Sequence, residues 1–283
     1  MSAPTVRKRR LGSELRLLRE SAGLKQEHVA ARLSALTTSK ISRIEKALIG
    51  VKPADLDGLL DLYGVSDEVK RRAMHSLAKD GSKKGWWQTY RDAISPEYAD
   101  LLSLEADAKS MRSFQTSLIP GLLQTSAYAR ATIDAINMTS SAAKVNALVE
   151  VRMARQSVLT RPEPLALWAI IPEAALHTTI STPRAMKDQL QKLLDLSELP
   201  HVSIQVLPLS TEPHPGMVGS FSVIGFPETA DLDVVLVEGL TSSLYVEDPV
   251  EVQRYGAAFE RLQAGALPFS ESADLIANLK DPT

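Results

Sequence analysis

The hydrophobic spacing of this chain changes period once, near Pro162, and that change limits what it can fold into. Before it, apolar residues recur every three or four positions, the mark of helices buried on one side. Leu11, Leu15, Leu18 and Ala22 form one such stripe, which Gly23 is placed to end. "KQEHVAARL" is a second, short helix with Val29, Ala30 and Leu33 inward. "TTSKISRIEK" (residues 37–46) is a third, with Ile41, Ile44 and Leu48 on one side and Thr37 or Thr38 available as its cap. "KPADLDGLLDLYG", with Pro53 at an early helical position and Gly64 at the end, and "SDEVKRRAMHSLAKDG" complete a head of about five helices. The polar "DGSKKG" follows. These marks place an all-α domain over 1–80, a linker over 81–85 and a second domain over 86–283.

The second domain is read as helical through "SPEYADLLSLEADAKSMRSF", broken at "LIPGLLQ", and helical again to "KVNALVEVRMARQSVLT". After Pro162 come "LALWAII", "VSIQVLP", "SFSVIGF", "DVVLVEG" and "SLYVED", short runs rich in β-branched and aromatic residues. Three further helical segments interrupt or follow them, the last from about Ser270. The expectation is an α+β domain of about five strands packed under helices.

Charge separates the two parts. Residues 1–53 hold 12 Lys and Arg against 4 Asp and Glu, a net +8, while the remainder, with 20 against 30, is −10. A basic head on an acidic body points to a polyanionic partner for the head alone. The chain has no cysteine, which removes disulfides, thiolate metal sites and cysteine nucleophiles. The basic start has no apolar run behind it, and no window approaches a membrane-spanning length, so a cytoplasmic protein is expected, on the nucleoid when bound to DNA. The five histidines form no HExxH pair, and no nucleotide loop or nucleophile elbow occurs. No cofactor or metal is called for, and no catalytic residue is assigned.

Two short helices joined by a turn, the second with a polar, basic outer face, make a helix-turn-helix. In that motif the second helix enters the major groove and the first crosses the backbone. Gln26, at the start of the first, is placed to donate to a phosphate. On the second, Arg43 suits a guanine, Ser39 and Ser42 suit base edges or phosphates, and Thr38 lies on the flank. Lys40 and Lys46 suit phosphates, being flexible point charges. The run Arg7 to Arg10, with Arg9 and Arg10 nearest the helix, reads as an arm that tracks the backbone or enters a minor groove. Useful specificity for a head that reads a few base pairs favours a homodimer.

"LKQEHVAARL…TSKISRIE" resembles the helix-turn-helix of Xre-type repressors, with Gln26, Ala30, Ile41 and Ile44 at the pattern's positions. Ala30 and Ile41 are eleven apart, one more than that family usually has, which predicts a longer turn and leaves the register of base contacts open by about one residue. "GWW…YRD", "LLSLEADAKSMRSF", "LIPGLLQTSAYARA", "RMARQSVLT", "LWAIIPEAAL", "VSIQVLP" and "LYVEDPVEV" are similar, in order, to the C-terminal domain of WhiJ-like actinobacterial regulators. That resemblance implies a transcriptional regulator with a small, genome-adjacent, antitoxin-like protein partner. Trp86 or Trp87, and the pair Arg152 and Arg155, are candidate partner contacts. A pocket for a small ligand in the second domain is the alternative, and a DNA-tethered enzyme stands behind both.

Overall fold

The computed structural model describes residues 5–78, 85–136, 141–178, 180, 182–226 and 232–281. Positions 81–84 of the expected linker lie outside them. The chain divides into two compact units, Met1–Trp86 with Pro227–Leu232, and Trp87–Phe226 with Asp233–Thr283.

The first unit consists of α1 (Val6–Ser21), α2 (Gln26–Arg32), α3 (Thr38–Glu45), α4 (Pro53–Leu62) and α5 (Glu68–Ala78). Thr5 caps α1 by accepting from the Lys8 N–H, and Gly23 follows its end at φ +68°. The apolar faces meet around Leu15, Val29, Ile41, Leu56, Leu60 and Met74, all nearly inaccessible to water, and Leu232 joins them. Each such side chain contributes roughly 1.5–3 kcal/mol of transfer energy. Gly12 is the point of closest helix approach: a Cβ there would lie 2.6 Å from the Glu45 carbonyl oxygen and 2.8 Å from that of Ile44.

Two expectations for this unit are corrected. Arg7 to Arg10 are not an extended arm but the first turns of α1, because Thr5 starts the helix before them. Leu48 is exposed, not part of the Ile41 and Ile44 stripe. α3 ends at Glu45, and Ala47 takes a left-handed conformation (φ +59°) while the Leu48 N–H closes on the Arg43 carbonyl. That reversal turns Leu48 away from the core.

In the second unit α6 (Pro96–Asp107) leads into β1 (Ser110–Phe114). α7 (Ser126–Ile136) and α8 (Ala142–Arg155) then cross to β2 (Ala166–Pro172). α9 (Glu173–His177) and α10 (Pro183–Ser197) cross to β3 (Val202–Leu207). β4 (Phe221–Gly225), β5 (Val234–Glu238) and β6 (Ser243–Val246) follow, before α11 (Pro249–Gly265) and α12 (Phe269–Lys280). The sheet has six strands in the order β3-β2-β1-β4-β5-β6. β1, β2 and β3 are parallel, and β4, β5 and β6 continue from β1 antiparallel.

The five expected strands are all present as β2 to β6. β1 is the addition, and it corrects the reading of "SPEYADLLSLEADAKSMRSF" as helical throughout. α6 stops where Ala108 turns extended, and "SMRSF" enters the middle of the sheet. Pairing on both sides, to β2 and to β4, overrides a five-residue run with no strand bias of its own. Phe114, Ile170, Phe221 and Val223 face α11, where Phe259 and Leu262 complete one core. The opposite face bears Met111, Ser113, Leu167, Ser222 and Leu236 and looks toward α7 and α8.

Candidate nucleic-acid interface

α3 presents two different sides. Ile41 and Ile44 are buried, 2% and 3% exposed, while Ser39 and Arg43 point to solvent and Ser42 is half-buried. Thr37, not Thr38, is the cap: its Oγ1 accepts the Lys40 N–H at 3.2 Å. Thr38 occupies the first helical position, half-buried. Lys46 is exposed at the helix end. The Arg43 side chain has no hydrogen-bond or ion-pair partner among the described residues, so its guanidinium is free to bind elsewhere. Five residues, Leu33 to Thr37, separate α2 from α3, with Leu36 buried beneath them.

What holds this face in place is a buried carboxylate that sequence reasoning passed over. Glu45 accepts Arg19 Nε at 2.6 Å, Arg19 Nη2 at 3.0 Å and Gln26 Nε2 at 2.7 Å. The side chains of Arg19 and Glu45 are 9% and 4% exposed. Arg19 also donates to the Leu24 carbonyl at the corner between α1 and α2. One carboxylate therefore ties α1, α2 and α3 together. The Glu45 hydrogen bond raises the Arg19 pKa above its ordinary value, against a desolvation penalty. Nothing local in the sequence marked it, since Arg19 and Glu45 lie 26 residues apart.

The other candidates are divided. Gln26 starts α2 half-buried, with one amide proton given to Glu45 and the second left over. Lys40 is paired within its own domain: its Nζ is 2.8 Å from Asp55 Oδ2 and 3.3 Å from the Ala35 carbonyl. Arg10 is a correction, only 2% exposed, with Nη2 3.6 Å from Glu14 Oε1. Arg9, on the same helix, is half-buried. Lys25, Arg32 and Lys52 are exposed cations in the same unit that sequence reasoning did not single out.

The four candidate partner contacts separate in the same way. Trp86 is 39% exposed, but Trp87 is 7% exposed and packs with Ile94, Leu102 and Val151. Arg155 is a correction: it is buried and donates to both Glu105 oxygens, at 2.6 and 2.5 Å. Burial opposes its charge, but the Glu105 carboxylate more than compensates and keeps its pKa raised. A buried ion pair cannot also greet a partner. Arg152 is half-buried, with Nη1 2.8 Å from Gln124 Oε1.

Among the described residues no helix is long and apolar enough to cross a membrane, and no cluster of three or more His, Asp or Glu could hold a metal. A family model described as Helix-turn-helix domain matches residues 10–74, which contain every element of the face above. The family model described as Domain of unknown function (DUF5753) matches residues 98–278. No curated protein and no solved structure matches the chain. The second model spans more than half of the sequence, and the chain belongs to that DUF5753 family.

Proposed function

From a DUF5753-family body joined to a helix-turn-helix head, we propose a sequence-specific DNA-binding transcriptional regulator. α3 enters the major groove, Arg43 and the adjacent Ser39 or Ser42 meet base edges, and Lys46 with Gln26 holds phosphates. The observation that carries this reading is the outer face of α3: an uncommitted Arg43 beside Ser39, on a helix fixed from behind by Glu45. Lys40 is left out because Asp55 already neutralises it.

The body serves as the control domain and joins two chains. A head that reads a few base pairs gains specificity from a second copy on a half-site about one turn, roughly 34 Å, away. The acidic body can associate without the repulsion that two basic heads would meet. The WhiJ-like resemblance supports a small protein partner for it. A specific observation favours a second reading in which the body senses a small ligand: a cavity of about 430 Å³ lies between the sheet and α7 and α8.

The test is selection of bound duplexes from a randomised pool by the full chain, with sedimentation of the same sample. The reading expects one enriched site of two-fold symmetry and a dimer at micromolar concentration. A pool that stays random after repeated rounds would overturn the regulator, and a monomer on a non-symmetric site would overturn the dimer.

A further inference from the structure

The cavity under α7 and α8 is unusual in its floor. Ser113 and Ser222 stand opposite one another on β1 and β4, both buried, in a cross-strand row that continues to Leu236 on β5. Their hydroxyls are 3.1 Å apart. Such a pair uses one hydroxyl proton and leaves the other uncommitted. Around them Met111, Leu167, Leu236 and Ile133 are apolar, and Leu118 and Leu122 close a wall from the Pro-Gly break after β1. Two adjacent serines at the centre of an otherwise apolar sheet face have no packing advantage over alanine or valine.

Three charged side chains line the cavity, Arg152, Arg155 and Glu238. Arg155 lines it but is spent on Glu105. Arg152 lines it with one guanidinium nitrogen on Gln124, while its Nε is buried and has no partner among the described residues. A second cavity of about 330 Å³ shares Arg152, Ile133, Glu238, Gly239 and Leu240 with the first. Tyr98 lines that second cavity, and its hydroxyl is likewise buried without a partner among the described residues. A buried polar group left unsatisfied is costly. Glu238, exposed at the shared wall, adds a negative charge that disfavours a second anionic group on the ligand.

We propose that this cavity binds a small monocarboxylic acid with an apolar body, its carboxylate on Arg152 and its chain over Met111, Leu167 and Leu236. The uncommitted hydroxyl of the Ser113 and Ser222 pair takes a polar atom along the chain or a water beside it. Arginine suits the carboxylate because two of its N–H groups can be offered to the two oxygens in one plane. Glu238 at the shared wall selects a single negative charge over a phosphate or a dicarboxylate. The site goes beyond the DNA-binding reading and does not depend on it, since binding to it is measured without DNA.

The test uses the full chain and three probes of equal length: decanoate, decan-1-ol and decanedioate. Calorimetry below the micellar range, with thermal unfolding alongside, should give decanoate at least a tenfold tighter Kd than the other two. Arg152→Gln should abolish the preference for decanoate over decan-1-ol, and Arg152→Lys should keep part of it. A merely structural Arg152 would lower Tm without altering that preference. Leu236→Trp, which fills the floor, should weaken all three probes. Equal binding of decanoate and decan-1-ol, a persistent preference in Arg152→Gln, or no binding of decanoate would each overturn the proposal.

Discussion

Replacing Glu45 by alanine should cost the head about 3 kcal/mol, because it leaves Arg19, whose side chain is 9% exposed, with Glu20 at 3.4 Å as its remaining carboxylate. The same change removes the acceptor of three hydrogen bonds, two from Arg19 and one from Gln26. Against a domain stability of about 5–15 kcal/mol, that is a fifth or more of the total. Hydrogen exchange of peptides from α1, α2 and α3, read by mass spectrometry in the full chain, isolates the head's opening energy from that of the body. The double change Arg19→Met with Glu45→Leu should recover most of the loss, since apolar residues of similar volume replace buried ion pairs at little cost. A cost below about 1 kcal/mol for Glu45→Ala, or a double variant no better than the single one, would refute the clamp.

Three further outcomes follow from the packing. Gly12→Ala should destabilise the head by about 1–3 kcal/mol, because the new methyl meets backbone atoms of Ile44 and Glu45 that cannot rotate aside; urea midpoints check it, and an unchanged midpoint contradicts it. Glu105→Leu alone should cost roughly 3–5 kcal/mol by leaving Arg155 buried and unpaired, and Arg155→Met added to it should restore most of that in thermal unfolding. The Asp57 carboxyl is held below its ordinary pKa, first by the His75 hydrogen bond and then by Arg71. Its stabilisation is therefore complete above the ordinary carboxylate value of about 4 and fades as pH falls through the lowered one. Asp57→Asn should flatten the acid limb of the head's stability curve, and an unaltered limb would count against the pairing.

The head was legible because its helices carry their own punctuation. Pro53, Gly23 and Gly64 mark ends by local backbone chemistry, and the structure uses each of them there. What escaped was tertiary. Arg10 reads as an arm residue until Thr5 winds it into α1, and the Lys40 ion pair exists only because α4 brings Asp55 within 2.8 Å. Glu45 was not singled out, since nothing local says that Arg19, 26 residues earlier, points at it. In the body, β2 to β6 announce themselves through β-branched residues, whereas β1 is a strand by virtue of its neighbours. Its Met111 and Ser113 became a cavity floor only once β4 and β5 lay beside them. No periodicity rule foresees that.

The central claim is that α3 reads bases through Arg43, and affinity measured with paired duplexes tests it most directly. Arg43→Ala and Lys46→Ala, in the full chain, are each titrated with the enriched duplex and with a scrambled one across a range of salt. Arg43→Ala should cost about 1–3 kcal/mol on the enriched duplex and little on the scrambled one. Lys46→Ala should weaken both and flatten the log–log salt slope by about 0.9. Loss of the same factor on both duplexes in Arg43→Ala would contradict the account.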